Sequence, residues 1–163
     1  MIVLKDEPSF NALIKKDLHQ VFLLCSPSSI PVNFVIHPWF VINRRGIVSK
    51  WEVGFGLHRR EKSWGHLDLD LHRPHQGVHM FAFSNTFLWK ARLISSVEGT
   101  EGSLAARMAD FIARSDKTYP YPYKYSLIGP NSNSYAQWVL DHFPESGMKL
   151  PWNSLGKWAT PDQ

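Results

Sequence analysis

Seven consecutive residues in the last third of the chain, Gly129-Pro130-Asn131-Ser132-Asn133-Ser134-Tyr135, set a tight polar turn against the start of an amphipathic helical pattern. The first turn of a helix carries N–H groups without intrahelical acceptors and the positive end of the macrodipole. A nucleophile or a developing oxyanion placed there is stabilised. Asn and Ser are equally the residues that best cap a helix, so the same letters read as plain capping. A second signal is His37, inside the otherwise apolar run Val35-Ile36-His37-Pro38-Trp39-Phe40-Val41. A half-buried imidazole there is either a base or a core group satisfied by a carbonyl. The third is Glu52, between Trp51 and Val53. A carboxylate beside a strand histidine fixes its tautomer and raises its basicity, whereas alone it is usually a solvent-facing strand residue.

A competing constellation lies in the middle of the chain, where His58, His66, His72, His75 and His79 accompany Asp68 and Asp70. Alternation through 65–72 puts His66, Asp68, Asp70 and His72 on one face of an expected strand and three leucines on the other. Imidazole with carboxylate suits zinc or a similar ion, but same-face neighbours on one strand stand roughly 6–7 Å apart. A metal would therefore need His75 or His79 to converge; otherwise this is a polar strand face. Cys25 ends the run Val21-Phe22-Leu23-Leu24 and reads as a small core hydrophobe.

The elements that must position these groups follow from period and punctuation. Phe10, Leu13, Ile14 and Leu18 form a short helical stripe opened by Pro8-Ser9. Strands are expected over 21–25, 32–42, 47–55, 78–83 and 87–95, with Asn43-Arg44-Arg45-Gly46 as a hairpin turn. The period then changes: 101–115 and 134–143 read as helices, the second stopped by Pro144. Between them Tyr119-Pro120-Tyr121-Pro122-Tyr123 opens a stiff aromatic loop running to Pro130, whose aromatics, Tyr121 among them, either pack within the loop or line a substrate groove. The tail from Leu150 to Gln163 reads as loop, anchored by Trp152 and Trp158. An α+β fold follows, with an antiparallel sheet packed against helices.

The chain has 163 residues, 44% hydrophobic, with 18 Lys and Arg against 14 Asp and Glu. That size and apolar content suit one domain over 1–163 with a core of its own. Its net charge of +4 is spread thinly, without the long basic stripe of a nucleic-acid surface. One cysteine excludes an internal disulfide framework. No apolar run approaches the roughly 18 residues of a membrane span, and the start lacks the order of a secretory signal, so the expected location is cytoplasmic.

The long motif, with Tyr119-Pro120-Tyr121 and Tyr125 before it and Leu150-Pro151 and Leu155-Gly156-Lys157 after it, resembles the hallmark of an uncharacterised bacterial family. His37 with Trp39, and Trp51-Glu52-Val53, resemble its earlier blocks. More distantly, the order of parts is similar to circularly permuted papain-like hydrolases of the NlpC and lecithin retinol acyltransferase type, with Ser132 in the position of the usual cysteine nucleophile. That resemblance implies a circularly permuted papain-like fold and a hydrolase or acyltransferase acting on an amide, ester or thioester of a small-molecule, peptide or acyl substrate. Ser132 would attack, His37 would act as base and then acid, Glu52 would orient it, and Asn131 or Asn133 with the helix-start amides would hold the oxyanion, with no cofactor. Two alternatives stand beside it: a catalytically inactive papain-fold binding protein, and a metal protein using His66, Asp68 and His72.

Overall fold

Val21–Cys25 shows no alternation of apolar and polar residues, and in the computed structural model, which describes residues 2–84 and 86–160, the reason is that both faces of this strand are covered. The elements in chain order are β1 (Ile2–Val3), α1 (Glu7–Asn11), β2 (His19–Pro27), β3 (Ile36–Arg44), β4 (Ile47–Val53), β5 (Ser63–Trp64), β6 (Leu67–Leu69), β7 (Gln76–His79), β8 (Leu88–Lys90), β9 (Arg92–Gly99), α2 (Leu104–Ile112), α3 (Ser115–Thr118) and α4 (Ser132–His142). Seven strands form one antiparallel sheet in the order β1-β9-β2-β3-β4-β6-β5, and β7 and β8 form a separate hairpin. Helices and antiparallel sheet together make the fold α+β, as the sequence led us to expect.

Register sorts the side chains into two layers. Val21, Leu23, Phe40, Ile42, Trp51 and Val53 face α2 and α4; the Phe40 ring meets Tyr135 edge-on at 6.2 Å. Phe22, Leu24, Trp39 and Val41 face the other way, onto Leu4, α1 and Ala91. Because opposed residues of an antiparallel pair share a face, the pairings Leu23↔Phe40, Leu24↔Trp39 and Ser26↔His37 extend this division without a slip to the start of β3.

Several boundaries differ from expectation, each for a local reason. The hairpin between β3 and β4 turns on two residues, Arg45 and Gly46, both with positive φ, as a tight hairpin whose twist matches the strands requires. The strand expected from 32 begins at Ile36, because Val32 and Val35 donate into turns, to Ser29 O and Val32 O. The strand expected over 87–95 splits at buried Ala91, whose N–H leaves for the His75 carbonyl as the chain passes from the hairpin to the large sheet. The first helix ends at Asn11, beyond which the N–H groups of Leu13 and Ile14 bond three residues back. The helix expected over 101–115 runs as α2 from Leu104, capped by Ser103 accepting from Ala106 N at 3.2 Å, to Ile112. The expected loop 119–130 is free of helix and strand. Residues 161–163 of the expected tail lie outside the described residues.

Phe40 is fully buried between β3 and α4. Truncating Phe40→Ala should lower the unfolding free energy by about 3–5 kcal/mol, read as a shifted midpoint in urea with an unchanged slope.

Candidate functional site

At the start of α4 a single side chain closes the frame. Asn131 Oδ1 accepts from the backbone N–H of Asn133 (2.9 Å) and Ser134 (3.3 Å), and Ser134 Oγ accepts from Asn131 N at 3.1 Å, a reciprocal cap that sets the helix start two residues earlier than expected. Asn131 Nδ2 reaches the carbonyls of Ser126, Leu127 and Leu155. Asn133 Nδ2 donates to Ile36 O (3.1 Å) and Leu155 O (3.0 Å), tying helix, tail and the first residue of β3 together. Gly156 lies so close that a Cβ there would stand 2.5 Å from Asn131 Nδ2, and its φ of +86° is one that side chains resist. The side-chain N–H groups of both asparagines are thus already donated to carbonyls, which makes them the frame of the turn rather than donors to an incoming oxyanion. Among the described residues, no hydrogen bond engages the Ser132 backbone N–H or its Oγ, and Asn133 Oδ1 is buried without a donor. Tyr121 is half-buried in the aromatic loop, edge-on to Tyr119, with Lys124 Nζ 5.3 Å above its ring.

The other expected partners meet on β3 and β4. His37 Nε2 lies 3.1 Å from Glu52 Oε2, with both side chains buried. Sequence reasoning missed the third member. Lys50, fully buried, places Nζ 2.9 Å from Glu52 Oε1 as an ion pair, donates to Gln76 O at 2.8 Å, and sits 4.5 Å over the Trp39 ring. Its signal was present in the alternation Lys50-Trp51-Glu52, since residues two apart on a strand share a face. Burial alone would push the Glu52 carboxyl up, but the Lys50 ammonium and the His37 ring outweigh it and hold the group down at about 2. Burial likewise lowers the Lys50 ammonium, with Glu52 opposing. His72 is held down at about 4, chiefly by burial, with Lys50, His79 and His37 adding to it and Glu52 opposing.

The register decides what these groups can reach. His37, Glu52 and Lys50 project on the Trp39 face, whereas α4 packs on the Phe40 face. The start of α4 comes to the Ile36 carbonyl, but no hydrogen bond joins Ser132 to His37 among the described residues, and His37 Nδ1 has no protein partner there. So the structure brings His37 and Glu52 together, brings Asn131, Ser132 and Asn133 together, and does not join the two groups.

The histidine-rich middle disperses, which corrects the metal alternative. The strand expected over 65–72 lasts only from Leu67 to Leu69, because Asp70 turns to a φ of 53° and bonds the Lys50 backbone instead. His66 Nδ1 meets Gly54 O, Asp68 sits against Ser63 and His58, and His72 stacks edge-on with His79 at 5.3 Å. Among the described residues, no three His, Cys, Asp or Glu side chains converge to hold a metal ion. A cleft of about 480 Å³ opens on the Trp39 side, where its walls include Glu7, Asp70, His72, Arg73 and His75. Cys25 is buried, and desolvation pushes its thiol up to about 11, so it stays protonated at neutral pH.

The model of one family, described as "Protein of unknown function (DUF3750)", matches residues 20–158. No curated protein and no solved structure matches the chain.

Two outcomes follow for the buried charges. Lys50→Met should cost about 3–5 kcal/mol by stranding Glu52 without its cation, and adding Glu52→Gln should recover much of that loss; urea denaturation of the pair and the double variant measures it. In the second, both shifts act with one sign. Stability falls as pH drops from 6.5 to about 4, where the unfolded chain protonates His72 before the folded one, and from 4.5 to about 2, where the same holds for Glu52. His72→Gln should shrink the first limb, the remainder belonging to His75, which burial also lowers, and leave the second.

Proposed function

The chain belongs to this family of unknown function, whose description assigns no chemistry, and from its site we propose that it is a catalytically inactive binding domain on a papain-like scaffold. One observation carries the reading: His37, the histidine paired with the expected carboxylate, projects on the Trp39 face, away from the face on which α4 packs. A serine hydroxyl is a weak nucleophile without a base in hydrogen-bond reach. Glu52, shared between His37 and buried Lys50, serves the packing of the sheet. What the start of α4 offers instead is recognition. Among the described residues the Ser132 N–H is an unpaired donor and Asn133 Oδ1 an unpaired acceptor, a pair that suits the amide or acyl carbonyl of a small molecule or peptide. The permuted papain-like arrangement itself is supported by the order of parts: a strand histidine, an acid on the next strand, and a late helix opening on the motif.

A second reading, the serine hydrolase or acyltransferase, is favoured by one contact, the 3.1 Å His37–Glu52 bond with Nδ1 left open. In it, Ser132 Oγ attacks the acyl carbon, His37 takes the proton and returns it to the leaving group, Glu52 orients the ring, and the Ser132 N–H holds the oxyanion.

Ser132→Cys separates the two. A base in reach would ionise the new thiol well below the ordinary value of about 8.5. The helix start lowers that thiol by itself, so the comparison is with Ser132→Cys carrying His37→Gln: the two midpoints of alkylation by iodoacetamide against pH should coincide, with Cys25 contributing nothing at neutral pH. A midpoint that rises when His37 is removed would overturn the binding reading and favour the hydrolytic one.

A further inference from the structure

Five loops meet at one end of the large sheet, where β2 and β4 end and β3 and α4 begin. Segment 28–35 joins β2 to β3 and 54–58 follows β4. The hairpin tip, described over 81–84 and 86–87, arrives through the Ile30↔Phe81 bridge. The aromatic loop 119–131 is tied in by the His66 N to Pro122 O bond and the Phe55–Tyr125 ring contact at 5.6 Å. The tail 150–160 is fixed by Asn153, whose carbonyl accepts from Ile36 N and whose amide donates to Phe34 O.

Each loop pushes large apolar side chains into solvent: Phe34, Phe55 (81% exposed), Phe83, Tyr123 (75%), Ile128 and Trp152 (90%). Exposed apolar residues are ordinary when scattered, but a set drawn from five loops to one end is not. The charge there is as one-sided as the apolarity. These five segments contain no Asp or Glu, although the chain has 14, and they do contain Lys124 and Lys157. The second continues to β5 through Arg59, Arg60, Glu61 and Lys62, three cations to one carboxylate.

We propose that this end of the sheet docks on the surface of an anionic lipid bilayer, with the loop tips in the headgroup boundary and the lysines against lipid phosphates. Separate projecting tips suit a yielding interface, which needs no matching contour. Trp and Tyr rings settle at that depth, where an apolar body and a polar edge are both satisfied. The lack of carboxylates removes the repulsion that a negative surface would otherwise impose, and each cation adds attraction. None of the helices is long and apolar enough to cross a membrane among the described residues, so the contact is peripheral. The inference stands apart from the binding reading of Ser132.

The test is co-sedimentation of the full chain with vesicles of phosphatidylcholine and phosphatidylserine, and with phosphatidylcholine alone. Binding to the anionic vesicles is expected, weaker with the neutral ones and falling with added salt. Phe83→Ser with Trp152→Ser should reduce it by about tenfold or more. Both side chains lie outside the core, so an unchanged thermal midpoint separates lost docking from lost folding. Failure of the wild type to bind anionic vesicles, or binding by the double variant within about twofold of wild type, would overturn the proposal. So would a self-associating wild type that the two substitutions render monomeric without any vesicle binding, since a second copy would then be the occupant.

Discussion

Glu52 is a carboxylate with almost no water to solvate it, and the middle of the sheet is arranged around that fact. An isolated buried charge of this kind costs several kcal/mol, so it persists only where a cation and donors face it. Lys50 supplies the cation from two residues away on the same strand, and His37 supplies a ring nitrogen from the neighbouring strand. The Lys50 ammonium is then satisfied by the Gln76 carbonyl and the Trp39 ring, which draws the β7–β8 hairpin down onto the sheet. Stability, pH response and the placing of His37 are thus one problem in electrostatics.

The start of α4 is solved by different means. There the currency is neutral hydrogen bonds, with Asn131 alone serving two N–H groups and three carbonyls from the aromatic loop and the tail. A motif rich in Asn and Ser is what such a junction demands, whatever else it does. The polar groups left over, at Ser132 and Asn133, are few and fixed in place, which suits holding a ligand better than moving protons.

How much of this was legible in the sequence depended on the range of the interaction. The hairpin at Arg45-Gly46, the cores of β2 and α2, and the helix after the polar motif are local matters of period and turn chemistry, and they could be read. That His37 and Glu52 would touch rested on a resemblance and proved right as a contact. Which face they would occupy needed the register of β2 with β3, a long-range fact that no single segment carries. The same limit hid Lys50: a lysine in a strand reads as surface until one knows that both faces of β4 are covered. The 65–72 stretch misled for the opposite reason, because alternation predicts a strand as long as the pattern, and Asp70 ended it by bonding the neighbouring backbone.

The central claim is that His37 belongs to the charged layer with Glu52 and Lys50 and is out of contact with Ser132. It is tested most directly by the nitrogen-15 and proton NMR signals of the His37 imidazole in the wild type and in Ser132→Ala. Nearly superimposable ring signals are the result expected, since among the described residues no hydrogen bond joins the hydroxyl removed to the ring. A large displacement of the Nδ1 signal in the variant would contradict the claim, because losing a hydrogen bond at that nitrogen moves its signal far more than a small change of packing nearby.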